Sequence, residues 1–262
     1  MISNILPLDR FADICRKVYF AVDDYSQIDF ILANGYLSWI FGEHVISSGT
    51  TKDYNKYCLM CRKNLHGALL RLPLVLPPSM ETIAALALGV SSALFIPTIN
   101  CSPSLIFCQT LTSVENSKAT LAWTFISTAA DFGQRLGYHR VRPSSTEAIH
   151  NDGPLRAAQE RLFWTVHMLE KGLALRLGRA SNIRDTEITI PRGELDGSWS
   201  TRLAMIHGHV HDWLYSPRGL SQPADERSSL AMTLAGEVRG LINETRAEIL
   251  VSTSFCLIFA LA

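Results

Sequence analysis

The stretch Leu155–Gly178, LRAAQERLFWTVHMLEKGLALRLG, decides how the rest of the chain is read. Leu162, Val166, Leu169 and Leu173 recur at steps of three and four, so on a helix they share one face. Arg161, Glu170, Lys171 and Arg176 supply charge around that stripe, the pattern of an amphipathic helix laid on a core. Gly178 follows where a left-handed C-terminal cap would sit.

Working outward, the same pattern returns over Lys118–Leu136, where Ala122, Phe125, Ile126, Ala129, Phe132 and Leu136 form the stripe and Gly137 takes the cap position. Upstream, Leu8–Phe20 and Ile28–Phe41 read as helices separated by the polar turn Asp23-Asp24-Tyr25-Ser26. Asp53–Leu70 reads as a third, stopped by Pro73. Ser79 reads as the N-cap of a helix carrying Ile83, Leu86, Ala87, Val90 and Leu94. Ser198–Tyr215 and Arg227–Leu250, joined by the Ser216-Pro217-Arg218-Gly219 loop, complete the set. Only Glu187–Ile190 alternates as a strand would. The pattern predicts an all-α, compact multi-helix globular domain with little or no sheet.

With 262 residues, 47% hydrophobic and 18% charged, the chain can bury a sizeable core. Lys+Arg 24 balances Asp+Glu 24, so no net charge draws it to a phosphate backbone, and a basic, self-sufficient DNA-binding domain is not expected. Cys15, Cys58, Cys61, Cys101, Cys108 and Cys256 are too sparse for a disulfide framework and read as reduced intracellular thiols. Met1–Arg10 mixes Asn4, Pro7 and Asp9 with apolar residues, so no secretory signal is expected. Thr82–Val114 is uncharged but broken by Pro97 and Pro103, and Ile249–Ala262 is too short to span a bilayer, so no membrane attachment is expected.

Three constellations bear on chemistry. Cys58 and Cys61 have the spacing of half a zinc site, with His66 as a third ligand in reach, yet a tetrahedral site needs four, and the pair reads as ordinary helix residues. His207 and His211 project from one helix face, with His209 between them, but no Glu follows His207 to act as a base and Asp212 faces elsewhere. Asp23-Asp24 resembles the start of a diphosphate-binding Asp-Asp-x-x-Asp motif, but position 27 is Gln, and a polar turn capping the next helix is the plainer reading. The rival function is therefore a helical metal-dependent enzyme using Asp23, Asp24 and His207/His211. The expected reading has no catalytic, cofactor-binding or metal residue.

Three stretches taken together resemble the regulatory, or middle homology, domain of fungal zinc-cluster transcription factors, also called the xylanolytic transcriptional activator regulatory domain. The first runs from Ala119 through Trp123 to Leu136-Gly137-Tyr138-His139-Arg140. The second holds Arg161, Phe163 and Trp164 and continues into Leu177-Gly178-Arg179-Ala180-Ser181-Asn182-Ile183-Arg184-Asp185, closing at Pro191. The third is the opening, Val18-Tyr19-Phe20 leading to Asn34-Gly35-Tyr36-Leu37. His167 stands where the family usually has Tyr, and Glu170 where it often has Asp.

The resemblance implies a nuclear, non-enzymatic regulator of RNA polymerase II transcription, working through protein contacts with the transcriptional machinery, a small-molecule inducer and self-association into a homodimer. It also implies that DNA binding and zinc belong to an N-terminal six-cysteine cluster, which this sequence does not contain. On this reading 1–247 is the regulatory domain, 97–117 is an insertion or retained intron within it, and 248–262 is an apolar tail outside the pattern. The motif residues read as architecture: Trp123, Phe163 and Trp164 fill a core. Gly137 and Gly178 cap helices, Arg179 reaches the carbonyls at a helix end, and Ser181 or Asp185 caps the next segment.

Overall fold

The computed structural model describes residues 2–20, 24–48, 52–94, 116–141, 153–191 and 199–251. Among them are nine α-helices and no strand: α1 Leu8–Phe20, α2 Gln27–Ser48, α3 Lys52–Leu69, α4 Met80–Leu94, α5 Asn116–Arg135, α6 Gly153–Arg176, α7 Trp199–Val210, α8 Pro217–Leu220 and α9 Ala224–Val251. The all-α expectation holds. The alternating Glu187–Ile190 does not form a strand; a 3-10 turn occupies Asp185–Glu187, where the Ile188 amide donates to the Asp185 carbonyl at 3.3 Å. No neighbouring strand is present among the described residues to pair with it.

The helix ends follow from local chemistry. Ser26 and Asp29 form a reciprocal cap at the start of α2: the Asp29 amide donates to Ser26 Oγ at 3.1 Å and the Ser26 amide to Asp29 Oδ2 at 2.9 Å. Ser79 Oγ takes the Thr82 amide at 3.1 Å, the cap its sequence predicts. Gly137 and Gly178 sit at φ +72° and +62°. After α5 the Gly137 amide donates to Gln134 O and the Tyr138 amide to Gly133 O; after α6 the Gly178 amide donates to Leu175 O and the Arg179 amide to Ala174 O. Both are Schellman closures, in which a left-handed residue lets the chain turn back on its last carbonyls.

The chain divides into two compact units, Met1–Val166 and His167–Ala262. In the first, α2 is central, with α1, α3 and α4 packed against it and α5 against α4. Ile31–Tyr36 of α2 and Thr82–Val90 of α4 are buried without a break, as expected of helices covered on several sides. A Cβ on Gly35 would stand 3.1 Å from Leu88, and one on Gly89 would stand 2.5 Å from Leu69, so these glycines allow the close approach of α4 to its neighbours.

Helix α2 extends beyond the predicted Phe41 because Phe41 packs against Tyr54 and Tyr57 of α3, and Val45 is buried. Asn34, fully buried in α2, accepts from Tyr19 of α1 at 3.2 Å and from Asn64 of α3 at 3.1 Å.

In the second unit, α7 and α9 meet through Leu203, Ile206, Leu234 and Leu241, with Val210, Trp213, Leu214 and Val238 packed around them. The predicted helix through Tyr215 is α-helical only to Val210 and then widens into a π turn over His211–Tyr215. The predicted 216–219 loop is instead the short α8, whose first turn Ser216 caps by accepting the Gly219 amide at 3.0 Å. A Cβ on Gly219 would lie 2.4 Å from the Trp213 carbonyl oxygen, so only glycine fits beneath that turn. The predicted insertion at 97–117 lies outside the described residues, except that Asn116 and Ser117 already belong to α5. Of the predicted tail, α9 includes residues as far as Val251, and 252–262 lie outside the described residues.

Candidate functional site

The stripe Leu162, Val166, Leu169 and Leu173 is buried as its spacing predicts. Two of the charges expected around it are not on the surface, which corrects the sequence reading: Glu170 is 0% and Lys171 4% exposed, and His167 beside them is 1% exposed. A buried charge needs partners, because the interior does not solvate it. Each of these groups finds its partner in the loop that follows α6.

Glu170 receives the Ser181 hydroxyl on Oε2 at 2.7 Å and the Asn182 amide on Oε1 at 2.7 Å. Lys171 Nζ donates to the Ile183 carbonyl at 2.9 Å and lies 3.2 Å from Asp185 Oδ2. The other oxygen of Asp185, Oδ1, is 2.8 Å from His167 Nε2. Ile183, 2% exposed, is set among these bonds, and the Ile183 amide donates to Ser181 Oγ at 3.2 Å. On α7, Gly208 faces the group: a Cβ there would stand 3.4 Å from Lys171 Nζ and 3.5 Å from Asp185 Oδ2.

The electrostatics follow from this arrangement. Burial by itself would raise the Asp185 carboxyl, but the hydrogen bond from His167 and the charge of Lys171 prevail and hold it at about 2. Burial prevails at Glu170 and raises its carboxyl, against the two hydrogen bonds it accepts. The expectation that Asp185 caps the segment after it is not met: no side chain caps the 3-10 turn, and the Asp185 carboxylate is turned toward His167 and Lys171. Ser181 binds Glu170 and its own loop rather than a following helix. A His-Asp pair also occurs in hydrolytic enzymes, but there it activates a nucleophile. Here the serine of the cluster donates its hydroxyl to Glu170, so the arrangement fastens the 177–191 loop to α6.

The other motif residues fall into two sets, one in each unit. In the first unit, Phe163 and Trp164 are buried with rings 5.9 Å apart, and the buried His139 ring is 6.0 Å from Phe163. Trp123, Leu136 and Arg161 are half-buried. Arg140 is exposed, and its carbonyl accepts Arg156 Nη2 at 2.5 Å. In the second unit, Arg179 is exposed and Pro191 ends the described loop, also exposed. Sequence reasoning placed Ser181, Ile183 and Asp185 among the motif residues but missed the interior partners His167, Glu170 and Lys171. The signal for them was two adjacent charges between Leu169 and Leu173, followed ten residues later by Ser181 and Asn182.

The candidate metal ligands are not brought together. Cys58 and Cys61 are buried in α3, with Cys58 Sγ donating to the Ser38 carbonyl at 3.1 Å. Burial raises both thiols, Cys61 to about 11. Burial pushes the His207 imidazole down to about 4. His209 stacks on Trp213 with centroids 4.5 Å apart. His211 Nδ1 lies 3.1 Å from Asp212 Oδ1, a carboxylate expected to face elsewhere. Asp24 is exposed and Asp23 lies outside the described residues. Among the described residues no group of three or more His, Cys, Asp or Glu side chains is placed to hold a metal, and the rival enzyme reading gains no support. Among the described residues, no helix is long and apolar enough to cross a membrane.

No solved structure matches this chain. The fungal specific transcription factor domain does match, over residues 90–235, more than half of the 262. That range takes in both glycine-capped helix ends, the aromatic pair Phe163 and Trp164 and the whole fastened loop, while the opening stretch through Leu37 lies before it. The chain belongs to the fungal specific transcription factor domain family.

Proposed function

We propose that this chain is the regulatory domain of a fungal transcription factor, acting in the nucleus on RNA polymerase II transcription through contacts with regulatory proteins, and that it has no catalytic centre. The observation that carries the reading is the family match over 90–235, inside which the most buried polar groups are committed to holding the chain's own loop. A neutral chain has no excess of cations to bind DNA unaided, so promoter recognition and zinc are assigned to a separate upstream cluster.

The test is to tether the full chain to an unrelated DNA-binding module and measure a reporter placed under that module's site. Reporter output should change when the chain is attached and revert when Asp185→Ala unfastens the loop. The isolated chain should show no sequence-specific DNA binding at physiological salt. An unchanged reporter with a folded fusion, or substrate turnover abolished by a single polar substitution, would overturn the proposal.

A further inference from the structure

Helix α3 turns Cys58, Cys61 and Leu65 into the core of the first unit. On its opposite face Lys56, Leu59, Met60, Lys63 and Leu70 follow one another at steps of three, four and seven. All five are exposed, Leu59 to 58%, Met60 to 52% and Leu70 to 67%. Leu70 stays in line because its amide still donates to the His66 carbonyl at 3.1 Å. The row runs for about 20 Å, and the loop after it exposes Leu74 and Val75 as well. A contiguous row of exposed aliphatic side chains is the mark of an interaction surface rather than of scattered surface residues.

The charge on this face has one sign. No Asp or Glu occurs from Tyr54 to Met80, a run that holds Lys56, Arg62, Lys63 and Arg71 in a chain otherwise balanced. Among the described residues Lys56 and Lys63 have no ion pair, whereas Arg10 and Lys17 of the same unit are paired with Glu81 and Asp29. We propose that this face of α3 binds an acidic amphipathic helix of another protein, one that carries two carboxylates two turns apart with large apolar residues between them. The proposal names a surface for the protein contacts inferred above and rests on that reading. Lys56 and Lys63 are themselves two turns apart, with Leu59 and Met60 between them, so one partner helix meets both ammonium groups while it covers both apolar side chains. The charges then fix which partner docks and in which register. A phosphate backbone calls for a denser set of cations than two lysines on one face. A bilayer does not match either: an interfacial helix keeps its lysines on the face away from the acyl chains, and here they stand among Leu59, Met60 and Leu70.

The experiment titrates the full chain into a fluorescein-labelled helical peptide of Ala and Gln, into which two Glu two turns apart and a Leu-Phe pair between them are built, and reads anisotropy. The peptide should bind, and Lys56→Glu with Lys63→Glu should weaken binding by at least about tenfold. A second peptide with Lys in place of its two Glu should bind that charge-reversed chain and not the unchanged one. Leu59→Ser with Met60→Ser should also weaken the first peptide. On the unchanged chain, where no variant has to fold, bound peptide should protect Lys56 and Lys63 from acetylation. No peptide binding, binding indifferent to charge reversal, lysines left unprotected, or capture of the chain by phosphatidylcholine–phosphatidylserine vesicles in preference to the peptide would overturn the proposal. A reporter that responds while the peptide fails to bind removes this surface alone; peptide binding beside a silent reporter removes the regulatory reading instead.

Discussion

The Asp185 carboxylate lies 2.8 Å from the His167 imidazole across a separation of 18 residues, and this contact joins the end of a loop to the interior face of the helix before it. Its other oxygen takes the Lys171 ammonium at 3.2 Å, so one side chain answers two buried groups.

Removing that side chain leaves Lys171 buried without its counter-ion. Asp185→Ala should cost about 3 kcal/mol of unfolding free energy, in the range for breaking a buried pair on one side. Asp185→Asn, which keeps a hydrogen-bond acceptor, should cost less. Urea denaturation followed by circular dichroism measures both, and a loss below about 0.5 kcal/mol for Ala would show that the loop is not fastened through this carboxylate.

Gly178 and Gly137 hold left-handed backbone at φ +62° and +72°, where nothing lies within 4 Å of an added Cβ. The cost of substitution is thus conformational rather than a clash. Gly178→Ala and Gly137→Ala should each lower stability by about 1 kcal/mol, and the β-branched Val by more. A Val variant that melts with the unchanged chain would contradict the caps.

Gly219 makes the opposite case. Its φ is not left-handed, yet an added Cβ would meet the Trp213 carbonyl oxygen at 2.4 Å, a backbone atom that cannot rotate away. Gly219→Ala should destabilise by about 2 kcal/mol through displacement of the π turn. Faster amide exchange around His211–Tyr215 in the variant is the matching local readout.

Stability should also fall with acid in two separate windows. His207 sits at about 4 when folded against an ordinary 6.5, so between those values the unfolded chain binds a proton that the folded one does not. Stability therefore drops as pH falls through that window, by up to about 1.4 kcal/mol per pH unit. Asp185, at about 2 against 3.8, stabilises fully above its ordinary value and loses that contribution only below it. Glu170, raised by burial, pulls the other way. His207→Gln should flatten the upper window alone, seen in urea midpoints at about pH 7, 5.5 and 4.5.

Much of this fold is legible in the sequence because it is local. Gly137, Gly178 and Ser79 do what their positions announce, and the Leu162–Leu173 stripe is buried as spaced. The interior polar group is not legible in the same way. Periodicity sorts residues by hydrophobicity, and it places Glu170 and Lys171 on a surface, whereas the helix is covered at their positions. Their burial is set by Ser181, Asn182, Ile183 and Asp185, which no helical repeat connects to them. The π turn escapes for a related reason: its extra residue is accommodated by Gly219, beyond the segment that it distorts.

The direction of that dependence has a consequence during synthesis. Glu170 and Lys171 leave the ribosome before the groups that hydrogen-bond or pair with them, which come 11 to 14 positions later. Until Asp185 has emerged, the second half of α6 cannot settle into its interior without stranding charge. Packing of that half-helix into its interior is therefore favourable only once its own loop is there to meet it.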